Sequence, residues 1–451
     1  MSVLIRNAET VALLDPGRRE IRGGWVLFDE GVIRAVGEPG NEPAGAGEIV
    51  GARGAVVLPG LVNTHHHFFQ TLTRAFPGAA DSSLFPWLRA LYPAWAGLTR
   101  EAVRTASLTA MAELLLSGCT TTSDHHYLFT RACSDPTDAT IESALAIGIR
   151  LHATRGSMSL SEKDGGLPPD SVVQDEETIL RDSVRLIERY HDPSPGARVR
   201  IALAPCSPFS VTEDLMRETA RIASSYGVRL HTHLAETKDE EEYCLARYGV
   251  RPLDFLERAG WLADRTWIAH GIHFEPQEID RIGRARMGVA HCPSSNMRLG
   301  SGAAPVLDLL AAGAKVGLGV DGSASNDASS IAAEARQALF AGRLRYGAER
   351  VAADEVLRWA TRGGAEILGR DDIGRIAPGF RADLALFRLD DIAFWGAGDP
   401  IAALLLSGPA RVDTLFVEGR AIVREGRLLT IDLDQHRERH HLAARALAAG
   451  S

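Results

Sequence analysis

Between Pro59 and about residue 370 the chain keeps repeating one arrangement: a short run of β-forming residues, then an amphipathic stretch of helical period. The β-type runs include Gly118–Asp124, Arg198–Ala204, Val228–His233, Thr266–His270, Gly288–His291 and Lys315–Val320. Strands that alternate with helices form parallel units, because a parallel connection needs a crossover long enough for a helix. About eight such units in about 310 residues close into a barrel whose strands carry working residues at their C-terminal ends. The expected fold class is therefore α/β, a (β/α)8 TIM-type barrel. A doubly wound open sheet is the alternative. No G-x-G-x-x-G follows an early strand, which weighs against it.

The two ends of the chain read differently. Val3-Leu4-Ile5, Trp25–Phe28 and Val32–Val36 are strand-like, with Asp29-Glu30-Gly31 as a hairpin turn. Ala382–Phe387 and Val412–Val417, with a turn at Glu418-Gly419-Arg420, repeat that character near the other end. Residues 1–58 and 371–451 are expected to pair into one small β-sandwich domain, and residues 59–370 to form the barrel. The tail after about residue 435, with His436, His440 and His441, reads as a solvated helix with surface histidines.

Composition narrows the partners. Among 451 residues the net charge is −9, so no basic face is expected for nucleic acid or an anionic membrane. No apolar run reaches the roughly 20 residues of a spanning helix. Five cysteines with no C-x-x-C pair do not make a disulfide framework, and the N-terminal residues carry no signal-peptide pattern. A cytoplasmic protein acting on a small molecule is the expectation.

The polar residues that close the strands carry the chemistry. In Asn63-Thr64-His65-His66-His67, period-two alternation puts His65 and His67 on one face and His66 on the other. Two imidazoles on one face suit a metal ion. His231-Thr232-His233-Leu234-Ala235-Glu236 repeats the pairing and adds a carboxylate; His231 is expected to be the satisfied core histidine of that pair. Trp267-Ile268-Ala269-His270 and Gly319-Val320-Asp321 place a further histidine and an aspartate at strand ends.

His-x-His, His, His and Asp on successive strands resembles the amidohydrolase superfamily, in its cytosine, guanine and triazine deaminase branch. The resemblance spans the chain, including Pro59–Val62 and the return through Ala377–Leu384. It implies that His65, His67, His233 and Asp321 hold one divalent metal, zinc first and ferrous iron second. Glu236 then moves protons between water, ring nitrogen and leaving amine. His270 orients the attacking hydroxide, and Asp321 doubles as the base. Binuclear members carry a bridging lysine on the fourth strand; here that strand ends Ala204-Pro205-Cys206, which favours one metal.

The remaining mouth residues bear on substrate. Gln70 offers an amide edge, Arg155 a cation after the third strand, and His125, within Asp124–Tyr127, a further donor. Trp95 offers a flat ring for stacking. Branch members acting on adenosine-type nucleosides have Glu where Trp95 falls and His where Cys206 falls, so a free base is favoured. Leu84–Leu88, Thr154–Leu160, Glu162–Pro169, Ala204–Ser210 and His291–Leu299 resemble the 8-oxoguanine deaminases closely. The implied reaction is hydrolysis of 8-oxoguanine to urate and ammonia by a homo-oligomeric enzyme. Deaminases of guanine, isoxanthopterin or triazines, and more remotely cyclic-amide hydrolases, are the alternatives. The excursion Ser161–Pro169 reads equally as a lid or as a plain loop.

Overall fold

The structure is a computed structural model describing residues 2–408 and 410–449; Met1, where the N-terminal reading begins, lies outside them. Eight parallel strands close a barrel: β1 (Leu61–Asn63), β2 (Cys119–His126), β3 (Arg150–Ser157), β4 (Val199–Pro205), β5 (Arg229–Leu234), β6 (Thr266–His270), β7 (Gly288–His291) and β8 (Lys315–Leu318). Each neighbour in this order pairs with the next, and β8 returns to β1 through Leu318 and Asn63. Helices follow the strands, among them Pro136–Ile147, Glu176–Tyr190, Glu213–Tyr226 and Ile331–Tyr346. Side-chain oxygens cap several of them: Thr212 accepts from Leu215, Thr237 from Glu240 and Ser330 from Ala333.

The chain ends build two further sheets. Val3–Arg6, Trp25–Asp29, Val32–Gly37 and Glu48–Gly51 form one of four strands. Its hairpin turns at Glu30 and Gly31, both with positive φ, as a tight two-residue turn requires. The other sheet has seven strands and mixes both ends: Leu384–Arg388 runs antiparallel to Ala55–Pro59, with Leu384 opposite Pro59. Val3, Ile5, Phe28 and Ile33 of the first sheet pack with Val11, Val57, Leu386 and Phe416 of the second. Phe28 and Phe416 meet edge to face at 5.1 Å.

Barrel and sandwich are joined by charge and by chain. Arg150, fully buried at the start of β3, donates to the carbonyls of Gly196 and Ala197 and pairs with Asp383 and Glu418. Ala55–Pro59 runs into β1 through Gly60 alone. Any Cβ at Gly60 would clash with Thr120, so only glycine passes there.

The tail is a largely exposed helix, as its sequence reads, but one face of it is covered. The last helix, Leu433–Ala449, packs on the barrel helix Arg100–Leu116 rather than on the sandwich. Leu447 is buried with Leu91 and Trp95, and His436 is buried with Nε2 2.8 Å from Thr109 Oγ1. His440 reaches the same hydroxyl at 2.9 Å. Histidines one helical turn apart share a face, and here that face finds a partner more than 300 residues away. Among the described residues no helix is long and apolar enough to cross a membrane.

Candidate metal centre

The C-terminal strand ends converge on one buried cluster. His67 Nε2 lies 3.1 Å from His233 Nε2, and Asp321 Oδ1 lies 3.2 Å from His65 Nε2 and 3.3 Å from His67 Nε2. The second Asp321 oxygen accepts from Ser325 Oγ at 3.1 Å and lies 4.0 Å from His270 Nε2. His270 Nε2 is in turn 3.5 Å from Glu236 Oε2. Ala235, His270 and Asp321 all hold left-handed backbone conformations, with φ of 53°, 70° and 62°. Non-glycine residues rarely adopt this region, and the cost falls at the turns that aim the polar side chains.

Protonation of the histidines follows from their outer hydrogen bonds. His67 Nδ1 is 2.7 Å from the His125 carbonyl, and His233 Nδ1 is 2.7 Å from the Cys206 carbonyl. A carbonyl only accepts, so each Nδ1 carries the proton and each Nε2 a lone pair. His231 Nδ1 donates to the Trp267 carbonyl at 3.0 Å, which leaves its Nε2 to accept from His65 Nδ1 at 2.8 Å. His65 Nε2 is then also a lone pair, and it is a buried atom with no hydrogen-bond partner. Three imidazole lone pairs and a carboxylate therefore face one another. Without a cation this arrangement is repulsive; with one it is a four-donor N3O set of the kind that binds zinc. Burial keeps His65 and His231 well below the usual imidazole range and brings His233 to about 3, so the rings stay neutral, as ligands must. The ligand atoms of His65, His233, His270 and Asp321 lie within 4.8 Å of one another, as do those of His65, His67, His125 and His233.

Glu236 is buried, and burial first, then the Asp321 charge, raises its carboxyl well above the ordinary value. It lines a small cavity above the cluster together with Gln70, Leu84, Trp87, Leu88, Tyr92, Tyr127, Cys206, Phe209, Leu299 and Ser325. Gln70 Oε1 accepts from Ala324 N at 3.2 Å, and its Nε2 is buried without a partner. Gly322 makes room for this side chain, since a Cβ there would collide with the Gln70 amide. Burial pushes the Cys206 thiol up to about 12, so it is neutral.

Of the expected site residues, His65, His67, His233, Glu236, His270 and Asp321 come together, and Gln70 and Cys206 line the cavity. Trp95, His125 and Arg155 fall outside that lining. Trp95 stands behind Trp87, ring centroids 5.4 Å apart, with its Nε1 donating to Thr73. Trp87 is the indole that faces the cavity, held by a bond from Nε1 to the Ala324 carbonyl at 2.9 Å. His125 Nε2 is committed to the Ala204 carbonyl at 2.9 Å, and its ring stacks on His233. Arg155 is fully buried in an ion pair with Asp182, a bond to Gln174 and a contact over the Phe129 ring. Tyr127, two residues past His125 on the same alternation, is the β2-end residue that lines the cavity. The Ser161–Pro169 excursion is pinned: Leu167 is buried and its N–H bonds the Phe209 carbonyl at 3.0 Å.

The sequence pattern of the amidohydrolase family matches residues 56–422. The chain is 55% identical to 8-oxoguanine deaminase of Pseudomonas aeruginosa, covering 99% of each protein. It is 34% identical to an isoxanthopterin deaminase of an unknown prokaryote, covering 96% of this chain and 95% of that one. Its fold superposes on the zinc complex of an atrazine chlorohydrolase from Arthrobacter aurescens TC1 with a TM-score of 0.94 at 35% identity, covering 98% and 100% of the two chains.

Proposed function

This chain belongs to the amidohydrolase family, and from that premise we propose that it hydrolyses 8-oxoguanine to urate and ammonia. It is a hydrolase acting on C–N bonds. The observation that carries the reading is the convergence of three lone-pair imidazoles and a carboxylate beside Glu236, in a chain so similar to an 8-oxoguanine deaminase.

His65, His67, His233 and Asp321 would hold one divalent cation, zinc by likeness to the zinc-bound atrazine chlorohydrolase, with ferrous iron the alternative. When bound, the cation supplies Lewis acidity that lowers the pKa of water and makes it nucleophilic near neutral pH. Asp321 takes the proton of the attacking water on Oδ2, a reading supported by the contacts of His65 and His67 falling on its other oxygen. His270, lying between the two carboxylates, orients that water; its Nδ1 is anchored by Asn296 Oδ1 at 2.9 Å. Glu236 delivers a proton to the ring nitrogen. Of the two protons of the water, one taken by Asp321 and one from the hydroxyl added at C2, one restores Glu236 and the other completes the departing amine, so that water replaces the amine at C2 and ammonia leaves. Gln70, with its oxygen engaged by Ala324, presents its amide N–H2 to an acceptor on the base. Trp87 and Leu88 give a flat apolar wall suited to a free heterocycle. Five buried, unpaired cysteines suit a reducing compartment such as the cytoplasm.

A binuclear cyclic-amide hydrolase is disfavoured, because β4 ends in Pro205 and is followed by Cys206, with no lysine. The test is ammonia release by metal-loaded protein from 8-oxoguanine, guanine, isoxanthopterin, cytosine and adenosine, with ring opening of a hydantoin measured in parallel. Preference for 8-oxoguanine is expected. Release only from another ring replaces the substrate, and hydantoin opening without ammonia release overturns the chemistry.

A further inference from the structure

The turn that carries Glu236 is held by a second glutamate. Thr237 caps the helix Lys238–Tyr248, which makes Glu240 the third residue of that helix. A glutamate at this position ordinarily reaches back to the backbone N–H of the capping residue itself. Glu240 reaches further. Its Oε1 accepts from Ala235 N at 2.8 Å and its Oε2 from Glu236 N at 3.1 Å. The side chain is fully buried, and among the described residues no arginine, lysine or histidine forms an ion pair with it. A buried carboxylate without a cation is costly, so its two backbone bonds have to serve a local need. That need is visible in the chain: Ala235 holds φ of 53° immediately before Glu236, and its carbonyl also accepts from Ile272 N at 2.8 Å and His273 N at 2.9 Å, just past His270. One strained residue thus joins the turn after β5 to the turn after β6.

We propose that Glu240 is a positioning residue for Glu236: its carboxylate clamps the Ala235–Glu236 backbone in the left-handed turn that aims the Glu236 carboxyl into the cavity. This rests on the reading of Glu236 as the group that moves protons. Glu240 touches neither the cavity nor a ligand of the metal.

The experiment compares four full-length, metal-loaded proteins: the parent, E240Q, E236Q and the double variant. Metal content, kcat and KM are measured on the base that the ammonia assay identifies. Glutamine keeps the size of Glu240 but turns an NH2 toward one of the two backbone donors. E240Q is expected to retain its metal and a KM within about 2-fold, while kcat falls by about 10- to 100-fold, the scale of a reacting group displaced by an ångström. In the E236Q background the same change should alter residual kcat by less than about 2-fold, because partners acting through one group are not additive. E240D, which keeps the charge but is one methylene shorter, should be impaired like E240Q. Normal kcat in E240Q or E240D, loss of metal in E240Q, or equal fold-losses in both backgrounds would each overturn the inference. Normal kcat in E236Q alone would instead overturn the reading of Glu236.

Discussion

The metal centre and the wall that faces it obey different rules. At the centre, three inward-facing nitrogens are set by backbone: the carbonyls of His125, Cys206 and Trp267 fix the protons of His67, His233 and, through His231, His65, while His270 depends on the Asn296 side chain. On the wall, the helix Leu84–Trp95 contributes Leu84, Trp87, Leu88 and Tyr92, and the Trp87 indole is tied to backbone by one bond. Carbonyl positions are common to any sequence that folds this way, whereas wall side chains change one at a time. The donor set of the centre therefore follows largely from the barrel backbone, whereas the facing wall is made of replaceable side chains of a helix.

That contrast can be broken by substitution. The largest effect is expected from Glu236→Gln, which should lower turnover on the order of 1000-fold while leaving metal content and thermal midpoint near the parent's. A chelator should lower both turnover and midpoint, because a cation bound only by the folded state stabilises it; equal midpoints with and without metal would remove the cation from the centre. Next is Arg155→Met, which leaves Asp182 to Arg185 alone and takes the donor from the Gln174 amide oxygen. Denaturant titration should show a loss on the order of 2 kcal/mol, the scale of lost charge-assisted hydrogen bonds, with KM unchanged. A raised KM at unchanged stability would return Arg155 to the substrate. Gln70→Leu should lower kcat/KM about 10- to 100-fold without loss of metal, as a buried partner is left unpaired. The smallest effect sharpens the comparison most. Trp87→Phe and Trp95→Phe each remove one indole hydrogen bond, to Ala324 and Thr73, and should each cost about 1 kcal/mol of stability. Only Trp87→Phe should change the relative kcat/KM among aminated rings. A matching change from Trp95→Phe would mean that the wall is read through its second layer.

Part of the centre was legible in the sequence because strands alternate with period two and end where the barrel opens; the grouping with His233 and Asp321 came from the family resemblance. His65 and His67 share a face by that rule, while His66 turns away, with its Nε2 2.9 Å from Ser329 Oγ. His231 was legible as the spent partner of His233, and it is spent on Trp267 and His65. The wall was not legible for the corresponding reason. Trp87 and Trp95 are eight residues apart on one helix, close to the same face, and depth along that face has no local signature. Arg155 and His125 sit at strand ends like the ligands, yet their partners, Asp182 and the Ala204 carbonyl, come from other elements. Glu240 gave no signal because a glutamate in a first helical turn is ordinary, and only its reach past the cap is not.

The passage from Ala55–Pro59 through Gly60 into β1 has a consequence for dividing this molecule. A strand bonded into the seven-stranded sheet becomes, one residue later, the strand that leads to His65 and His67. There is no slack between the two bodies and no seam along which to cut. A truncation that removed the sandwich would cut the strand that leads straight to the first two histidines.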